Sequence, residues 1–418
     1  MEIIQLFFLF LQIVVILFTT YWIFISFFGF GKPKTLKAYA PHKRFLLLVA
    51  AHNEEKVIQP LVQNLLRLDY PKELYDVFVI ADNCTDQTAE ITRNAGGHVI
   101  NHTSAPNEPR GKPYGIRYAL NQFGSNLVKK YDAVAIFDAD NLVSLNYLKE
   151  MNNHLCNGEK LIQCYLDSKN PNDNWMTLSY ATSYYYMNRS WQLAKYRLGL
   201  GNAIGGTGFC VDTTLMREVG WTACSLTEDL EFTIQCLLKG VPATWSHHAR
   251  IYDEKPNKLS MSMIQRLRWS RGHWDVCFRY AGKLLWKSVR HWDIRLFDGF
   301  LYLINPGKVV LGTLVGIIAS VDLFTNQPWI HVILPWWLWF SLLGFGFSYI
   351  LYTIKIDAKN QIHKGKAILS LFLFNYTYIP LFVWSFFTFN KKVWVRTNHS
   401  RNIVLDEIDD SQKNIFNS

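Results

Sequence analysis

Ile3 to Gly31 carries no charged residue. A helix needs about 20 apolar residues to cross a bilayer, so this run is long enough. Hydrocarbon offers the backbone no partner, and a spanning segment must therefore be helical or part of a closed barrel. A signal peptide would have a shorter apolar core of roughly 7–15 residues with basic residues before it. Here only Glu2 precedes the run, while Lys32, Lys34, Lys37, Lys43 and Arg44 follow it. Basic residues stay on the cytosolic side, which puts the N-terminus outside and the chain after residue 31 inside.

Comparable runs return only after residue 295. Trp329–Ile354 and Ala367–Asn390 are uncharged, and Leu301–Phe324 is interrupted by Lys308 and Asp322. Lys308 reads as snorkelling to the inner interface, with Asp322 near the outer one. Lys355, Lys359, Lys364 and Lys366 between the last two runs place that loop in the cytosol. Four spans would leave both termini outside, yet Lys391, Lys392, Arg396 and Arg401 point inward by the same rule. The segment under suspicion is Ala367–Asn390, re-entrant rather than spanning, with Asn375 and Pro380 at mid-depth. The expected parts are an N-terminal span (1–31), a cytosolic domain (32–258), an interfacial segment (259–295), a membrane region (296–390) and a short tail (391–418).

The bulk figures agree. Half of the 418 residues are hydrophobic and 18% are charged, with a net charge of +10. That excludes a disordered chain, and 24 Gly and 7 Cys exclude collagen-like and disulfide-scaffold folds. The basic residues flank membrane segments, so anionic lipid is a simpler partner than nucleic acid. All seven cysteines fall in the cytosolic stretch without a CxxC pair, as reduced structural thiols do.

Between the spans, strand and helix alternate. Phe45–Ala51 is a short apolar run of the kind found in a buried parallel strand. Val57, Ile58, Leu61, Val62, Leu65 and Leu66 recur at helical spacing. Val77–Ala81 is a second strand, Thr85–Ala95 a helix closed by Gly96-Gly97, and Ala133–Phe137 a later strand. The pattern predicts an open α/β sheet covered on both faces, with ligands beyond the carboxyl ends of its strands. Those ends are His52-Asn53-Glu54, Asp82-Asn83 and Asp138-Ala139-Asp140. Neither GxGxxG after the first strand nor GxxxxGK[ST] is present, which argues against dinucleotide and P-loop sites.

Three motifs carry chemistry. Asp138 and Asp140, two apart in extended chain, point the same way and suit a hard cation, Mg²⁺ or Mn²⁺, that also takes phosphate oxygens and water; alone, such a pair is more often a solvated loop end. Thr227-Glu228-Asp229 opens a helix, with Thr227 as N-cap and Ser225/Glu228 spelling a capping box. The two acids could merely complement the helix dipole, which would also lower their pKa and keep Asp229 ionised as a general base. In Gln265-Arg266-Leu267-Arg268-Trp269, a helix would put Gln265, Arg268 and Trp269 on one face. Arg268 could clamp a phosphate and Trp269 could stack on a sugar. Residues 264–287 also form a basic amphipathic stripe suited to an anionic membrane surface. His247-His248 lack a carboxylate at ligand spacing and read as a structural pair.

Taken together, the chain resembles the membrane-embedded family 2 glycosyltransferases, such as cellulose, hyaluronan, chitin and poly-N-acetylglucosamine synthases. Their order of Asp, DxD, TED and Q(Q/R)xRW is matched by Asp82, Asp138-Ala139-Asp140, Thr227-Glu228-Asp229 and Gln265–Trp269. The resemblance implies an α/β fold, a GT-A domain flanked by transmembrane helices, in a multi-pass plasma-membrane protein with a cytosolic catalytic domain. It implies that Asn53, Glu54 and Asp82 line a uridine pocket, with Lys112 near the diphosphate. Asp138 and Asp140 would hold Mg²⁺ or Mn²⁺ on that diphosphate, and Arg266 and Arg268 would offset its charge. Asp229 would be the base, while Glu228, Gln265 and Trp269 would bind the acceptor. Gly205–Cys210 resembles the segment beneath the acceptor end. The first motif, Ala-Asp-Asn, departs from the family's Asp-Asp-Gly. The expected reaction is inverting transfer from a UDP-sugar to a β-linked polysaccharide. Single transfer to a lipid and a non-catalytic subunit are the alternatives, with a homo-oligomer or export partner as candidate company.

Overall fold

The computed structural model describes residues 2–325, 332–333, 335–358, 362–392, 399 and 401–408. Eight strands among them form one sheet: Phe45–Ala51 (β1), Tyr75–Asp82 (β2), His98–His102 (β3), Ala133–Asp138 (β4), Leu142–Val143 (β5), Leu161–Ser168 (β6), Phe209–Asp212 (β7) and Thr244–Asp253 (β8). Their order is β3-β2-β1-β4-β7-β6-β8-β5. β1 pairs in parallel with β2 and with β4, so it has neighbours on both edges and helices on both faces. An unbroken apolar run is what such a position requires. β7 runs antiparallel between β4 and β6, and β8 parallels β6. β1, β2, β4, β6 and β8 therefore all end at the same side of the sheet.

Two cores hold the sheet. On one face Ile58–Leu66 and Tyr147–Cys156 pack through Leu61, Leu65, Leu148 and Met151. On the other, Lys112–Phe123 and Glu228–Leu238 pack through Ile116, Ala119, Phe232 and Cys236. The helix expected over Thr85–Ala95 runs only from Thr88 to Asn94. Asp86 Oδ1 accepts from the Thr88 N–H at 3.1 Å and its hydroxyl at 2.6 Å, a local turn that delays the helix. All seven cysteines are free.

Three described helices are long and apolar enough to cross a membrane: Ile3–Phe27, Trp336–Asp357 and Lys364–Thr388. The expected Leu301–Phe324 span falls in a bent pair, Ile294–Leu303 and Asn305–Val321, meeting at 58°, which makes a fourth candidate if the pair crosses as one. Pro306 sits at the first turn of the second helix, where its missing N–H costs nothing. Lys359, Arg396 and residue 418 lie outside the described residues, as does the side chain of Asp322.

A helix that the pattern did not predict joins the two halves. Trp175–Met187 continues through a π-helical turn, Asn188–Leu193, into Ala194–Arg197. Arg189 donates from Nε to Asp357 at 2.8 and 2.9 Å, and from a terminal nitrogen to the Gly31 carbonyl at 3.0 Å. The ion pair is 3% exposed on both sides. Removing one member of such a pair costs about 3–5 kcal/mol, because the other stays buried and unpaired. Lys195 pairs with Asp298 at 2.8 Å among the rings of Trp22, Trp191 and Tyr302.

Candidate active site

A cleft of about 600 Å³ opens beyond the shared carboxyl ends of the strands. Four of these strands contribute through the residue that ends or follows them. β1 delivers Glu54, β2 Asp82, β4 Asp138 and Asp140, and β8 Asp253 and Glu254. Asn53 and Asn83, just past β1 and β2, adopt left-handed φ of 57° and 51°, and so turn the chain sharply at the rim. Asn53 does not line the cleft. Its Oδ1 accepts from the Thr85 N–H at 2.7 Å and ties two rim loops together.

Lys112 sits at the centre. Its amine donates to Asp138 Oδ1 at 2.5 Å and to the Gly206 carbonyl at 2.6 Å, and lies 4.0 Å from Glu228. Burial works against its charge, but the carboxylates of Asp138, Glu228 and Asp229 outweigh it and raise the pKa. One cation thus spans the DxD and TED motifs.

Asp229 is placed differently from the dipole expectation. Burial, and then the neighbouring Glu228, push its pKa up to about 7, which the Leu230 N–H, Lys112 and Arg268 only partly oppose. Helix-dipole stabilisation is worth about 0.3–1 kcal/mol at an exposed site, less than the desolvation of a buried carboxylate. Gly206, with φ of +79°, lies beneath it; a Cβ there would stand 3.2 Å from Asp229 Oδ2. The capping box is not formed. Thr227 holds the N-cap position without a cap bond, and the hydroxyls of Ser225 and Thr227 have no partner among the described residues. Glu231 instead accepts from the Cys224 and Ser225 N–H groups at 3.0 and 2.9 Å and from Arg279 at 2.5 Å.

Leu259–His291 forms one continuous helix. Gln265, Arg268 and Trp269 line the cleft from it. Gln265 Oε1 accepts from the Tyr180 hydroxyl at 3.2 Å, and Arg268 donates to the Leu226 carbonyl at 3.2 Å. Arg266 does not join them. It is fully buried, 4.2 and 4.6 Å from the rings of Phe374 and Tyr378, and donates to Thr377 Oγ1 at 2.7 Å. Residues two apart on a helix face different directions, so Arg266 and Arg268 cannot share a ligand. The offset of diphosphate charge expected of Arg266 is withdrawn on this geometry.

Asp140 and Asp138 both border the cleft. Burial disfavours the Asp140 charge, but His399, Lys169 and the Glu254 N–H lower its pKa. No cluster of three or more His, Cys, Asp or Glu able to hold a metal exists among the described residues. Two carboxylates fit Mg²⁺ or Mn²⁺, which fill their remaining positions with phosphate oxygens and water.

Several lining residues were not foreseen. His399 lies 3.2 Å from Glu54 and 4.0 Å from Asp140. Burial opposes its charge, but Asp140, Glu54 and Glu254 push its pKa up to about 10. Lys392 also lines the cleft, and Arg401 donates its N–H to Glu254 at 3.0 Å. No local pattern could have placed residues so distant in sequence. Asp253 and Glu254 could have been found as polar residues ending a strand. His247 lies elsewhere, 3.8 Å from Asp357, its pKa pushed down to about 4 chiefly by burial.

Comparison with known proteins accords with this site. A sequence profile described as "Glycosyltransferase like family 2" matches residues 41–272. A probable glycosyltransferase of Bacillus subtilis, YdaM, is 23% identical over 82% of this chain and 81% of its own length. A beta-monoglucosyldiacylglycerol synthase of Nostoc is 27% identical over 63% of this chain and 56% of its own. A poly-beta-1,6-N-acetyl-D-glucosamine synthase of Staphylococcus aureus is 26% identical over 56% of this chain and 55% of its own. The chain thus spans little more than half the length of the last two. Among solved structures, a mannosyltransferase of Pyrobaculum calidifontis in complex with GDP-mannose and Mn²⁺ superposes with a TM-score of 0.56 at 16% identity, over 91% of this chain and 99% of that one. At that identity the likeness shows the fold alone. On the extent of the profile match, the chain belongs to glycosyltransferase family 2 and is an enzyme that takes its sugar from a nucleotide-sugar donor.

Proposed function

We propose that the cleft binds a UDP-sugar and that Asp229 is the general base of an inverting transfer, repeated on a growing β-linked glycan at the cytosolic face of the plasma membrane. The observation that carries this is one cleft holding the Asp138–Asp140 pair and Asp229, bridged by Lys112 and walled by Gln265, Arg268 and Trp269. A base with a pKa near 7 matches an operating pH near neutrality. The acceptor hydroxyl would give its proton to Asp229 as its oxygen bonds to the anomeric carbon. The bond from that carbon to the diphosphate oxygen breaks, and UDP leaves. One displacement inverts the centre, so an α-linked donor gives a β-linkage. Asp138 and Asp140 would hold a divalent cation, which when bound offsets charge on the leaving diphosphate. Lys112 and Arg268 would add donors on the same side. Trp269 offers the acceptor a flat face, and Glu228 and Gln265 offer it polar ones.

A lipid acceptor is the second reading, favoured by the flank of the site. The helix carrying Gln265 and Trp269 leaves Phe278, Trp286 and Val289 exposed, and Lys364–Thr388, which packs against it, leaves Phe372, Trp384 and Phe387 exposed. An acceptor held in the bilayer could reach the cleft there. The two synthases named above make a lipid-linked and a polymeric product by their names, and so divide along the same line. Full-length protein with each of a panel of radiolabelled UDP-sugars and Mn²⁺ should yield a long product cut by a linkage-specific hydrolase. A single-sugar product in the organic phase would establish the lipid reading, and no transfer from any UDP-sugar would sink both. Assembly into a homo-oligomer or with an export partner would give a long product its passage.

A further inference from the structure

We propose that His102 and Asn83 set the choice of nucleobase by leaving Asp82 a single free acceptor. This rests on the reading above, in which a nucleoside diphosphate sugar lies in the cleft with its base beside Asp82.

Asp82 closes β2 and is 7% exposed. Its Oδ1 accepts two hydrogen bonds, from His102 Nδ1–H at 2.6 Å and from Asn83 Nδ2 at 2.7 Å. A carboxylate oxygen offers about two lone-pair directions, so Oδ1 is filled. Oδ2 accepts none among the described residues, and the side chain borders the cleft. Both partners are fixed in turn. His102 lies opposite Asp82 in the β2–β3 register, with its ring 4.3 Å from that of Tyr118. Its carbonyl accepts the Asn83 N–H at 2.7 Å. The Asn83 amide is tied both ways to Ser104, accepting its N–H at 2.9 Å and donating to its hydroxyl at 3.1 Å. Behind the carboxylate, a Cβ at Gly115 would come within 3.3 Å of Asp82 Cγ, so the group is backed closely by helix and cannot swing away.

The bases present different edges to such a group. Uracil offers one ring N–H between two carbonyls. Guanine offers two parallel donors, N1–H and its amino group, which together use both oxygens of a carboxylate. Cytosine and adenine offer one amino donor, but a ring-nitrogen lone pair stands where uracil has its N–H. A single free oxygen satisfies uracil. It leaves the guanine amino group unpaired against the filled Oδ1, and at the position that suits the uracil N–H it meets the lone pair of the other two. A site built around specific hydrogen bonds rejects ligands that leave polar groups unpaired.

The test is displacement of labelled UDP from the full-length protein in detergent with Mn²⁺ present, by unlabelled UDP, GDP, CDP and ADP. The wild type should bind UDP at least about tenfold more tightly than the other three, the scale of one lost hydrogen bond. His102→Phe keeps a ring beside Tyr118 but removes the donor, and should narrow the UDP-to-GDP ratio by about tenfold. His102→Gln restores a donor and should recover part of that ratio. A merely structural role for His102 would weaken all four nucleotides alike. Equal UDP and GDP affinity in the wild type would overturn the proposal, as would an unchanged ratio in His102→Phe. If the Phe variant does not fold, the wild-type series and the Gln variant still decide. Asp82→Ala separates the two levels: full UDP affinity in that variant would show that the base lies elsewhere, a failure of the underlying reading.

Discussion

At the scale of single residues, the site is a balance between burial and a few fixed charges. Asp229 has a pKa pushed up to about 7, so it changes charge across the neutral range. A base acts deprotonated, so kcat/KM should climb as pH rises through about 7 and level off above it. A profile flat from about pH 6 to 8 would remove Asp229 from that role. Lys112 lowers the Asp229 pKa, so Lys112→Met should move the same limb to higher pH. Asp229→Asn should cut transfer by about 10²–10⁴-fold, the usual worth of a general base, with UDP affinity kept. Equal loss of UDP binding would assign Asp229 to the donor instead.

At the scale of elements, the position of the Leu259–His291 helix depends on one close approach. A Cβ at Gly272 would stand 2.6 Å from the Thr227 side chain and 2.8 Å from its backbone nitrogen. Backbone cannot yield as a side chain can, so Gly272→Ala should push the helix outward, with Arg268 and Trp269 on it. The expected result is an overpacking cost of about 1–3 kcal/mol and at least tenfold slower transfer. Gly282 on the same helix faces open space. Gly282→Ala should be neutral for transfer and gain up to about 1 kcal/mol from helix propensity. Thermal unfolding and transfer rates of the two variants check both.

The elements also mark where sequence reading stops. β1, β2 and β4 were legible because buried parallel strands must be continuously apolar. The face shared by Gln265, Arg268 and Trp269 followed from helical spacing, and the same spacing already separated Arg266 from Arg268. The capping box failed for a reason outside its own residues: Glu231, held by Arg279 and Tyr280, takes the loop N–H groups instead. His102 and His399 carry no local pattern, since their partners lie 20 and 345 positions away.

At the scale of the whole molecule, the tail bears on the topology. Arg189 ties Asp357 and the Gly31 carbonyl to the catalytic domain, so Ile3–Phe27 and Trp336–Asp357 both end on that side. Lys364–Thr388 starts beside Tyr165 and Trp245 through Ala367, and its far end is followed by Lys392 in the cleft. Along its length it packs on the Leu259–His291 helix, with Arg266 on Phe374, Trp274 on Phe386 and Phe278 on Phe389. Lys364–Thr388 is long and apolar enough to cross a membrane, but with both ends on the catalytic domain we propose that it lies along the membrane surface. Three crossings, by Ile3–Phe27, the bent pair and Trp336–Asp357, would then suffice, and the inward pull of Lys391, Lys392 and Arg401 would no longer conflict with the count. A tag after residue 418 should be protected from protease in intact cells and cleaved after lysis, like the catalytic domain. Cleavage in intact cells would restore a fourth crossing.

The tail has one more consequence, for anyone who would isolate the catalytic domain. β5 is the last strand of the sheet, and Leu142 on it packs with Tyr252 and with Ile408 from near the end of the chain. Arg67 pairs with Asp406 at 3.2 Å in the same region. A fragment cut at the membrane boundary would lose this cover and present an apolar sheet edge to its neighbours, an invitation to aggregate. A fragment meant to stay in solution should therefore keep residues 401–408 beside β5, although they lie beyond the membrane segments in sequence.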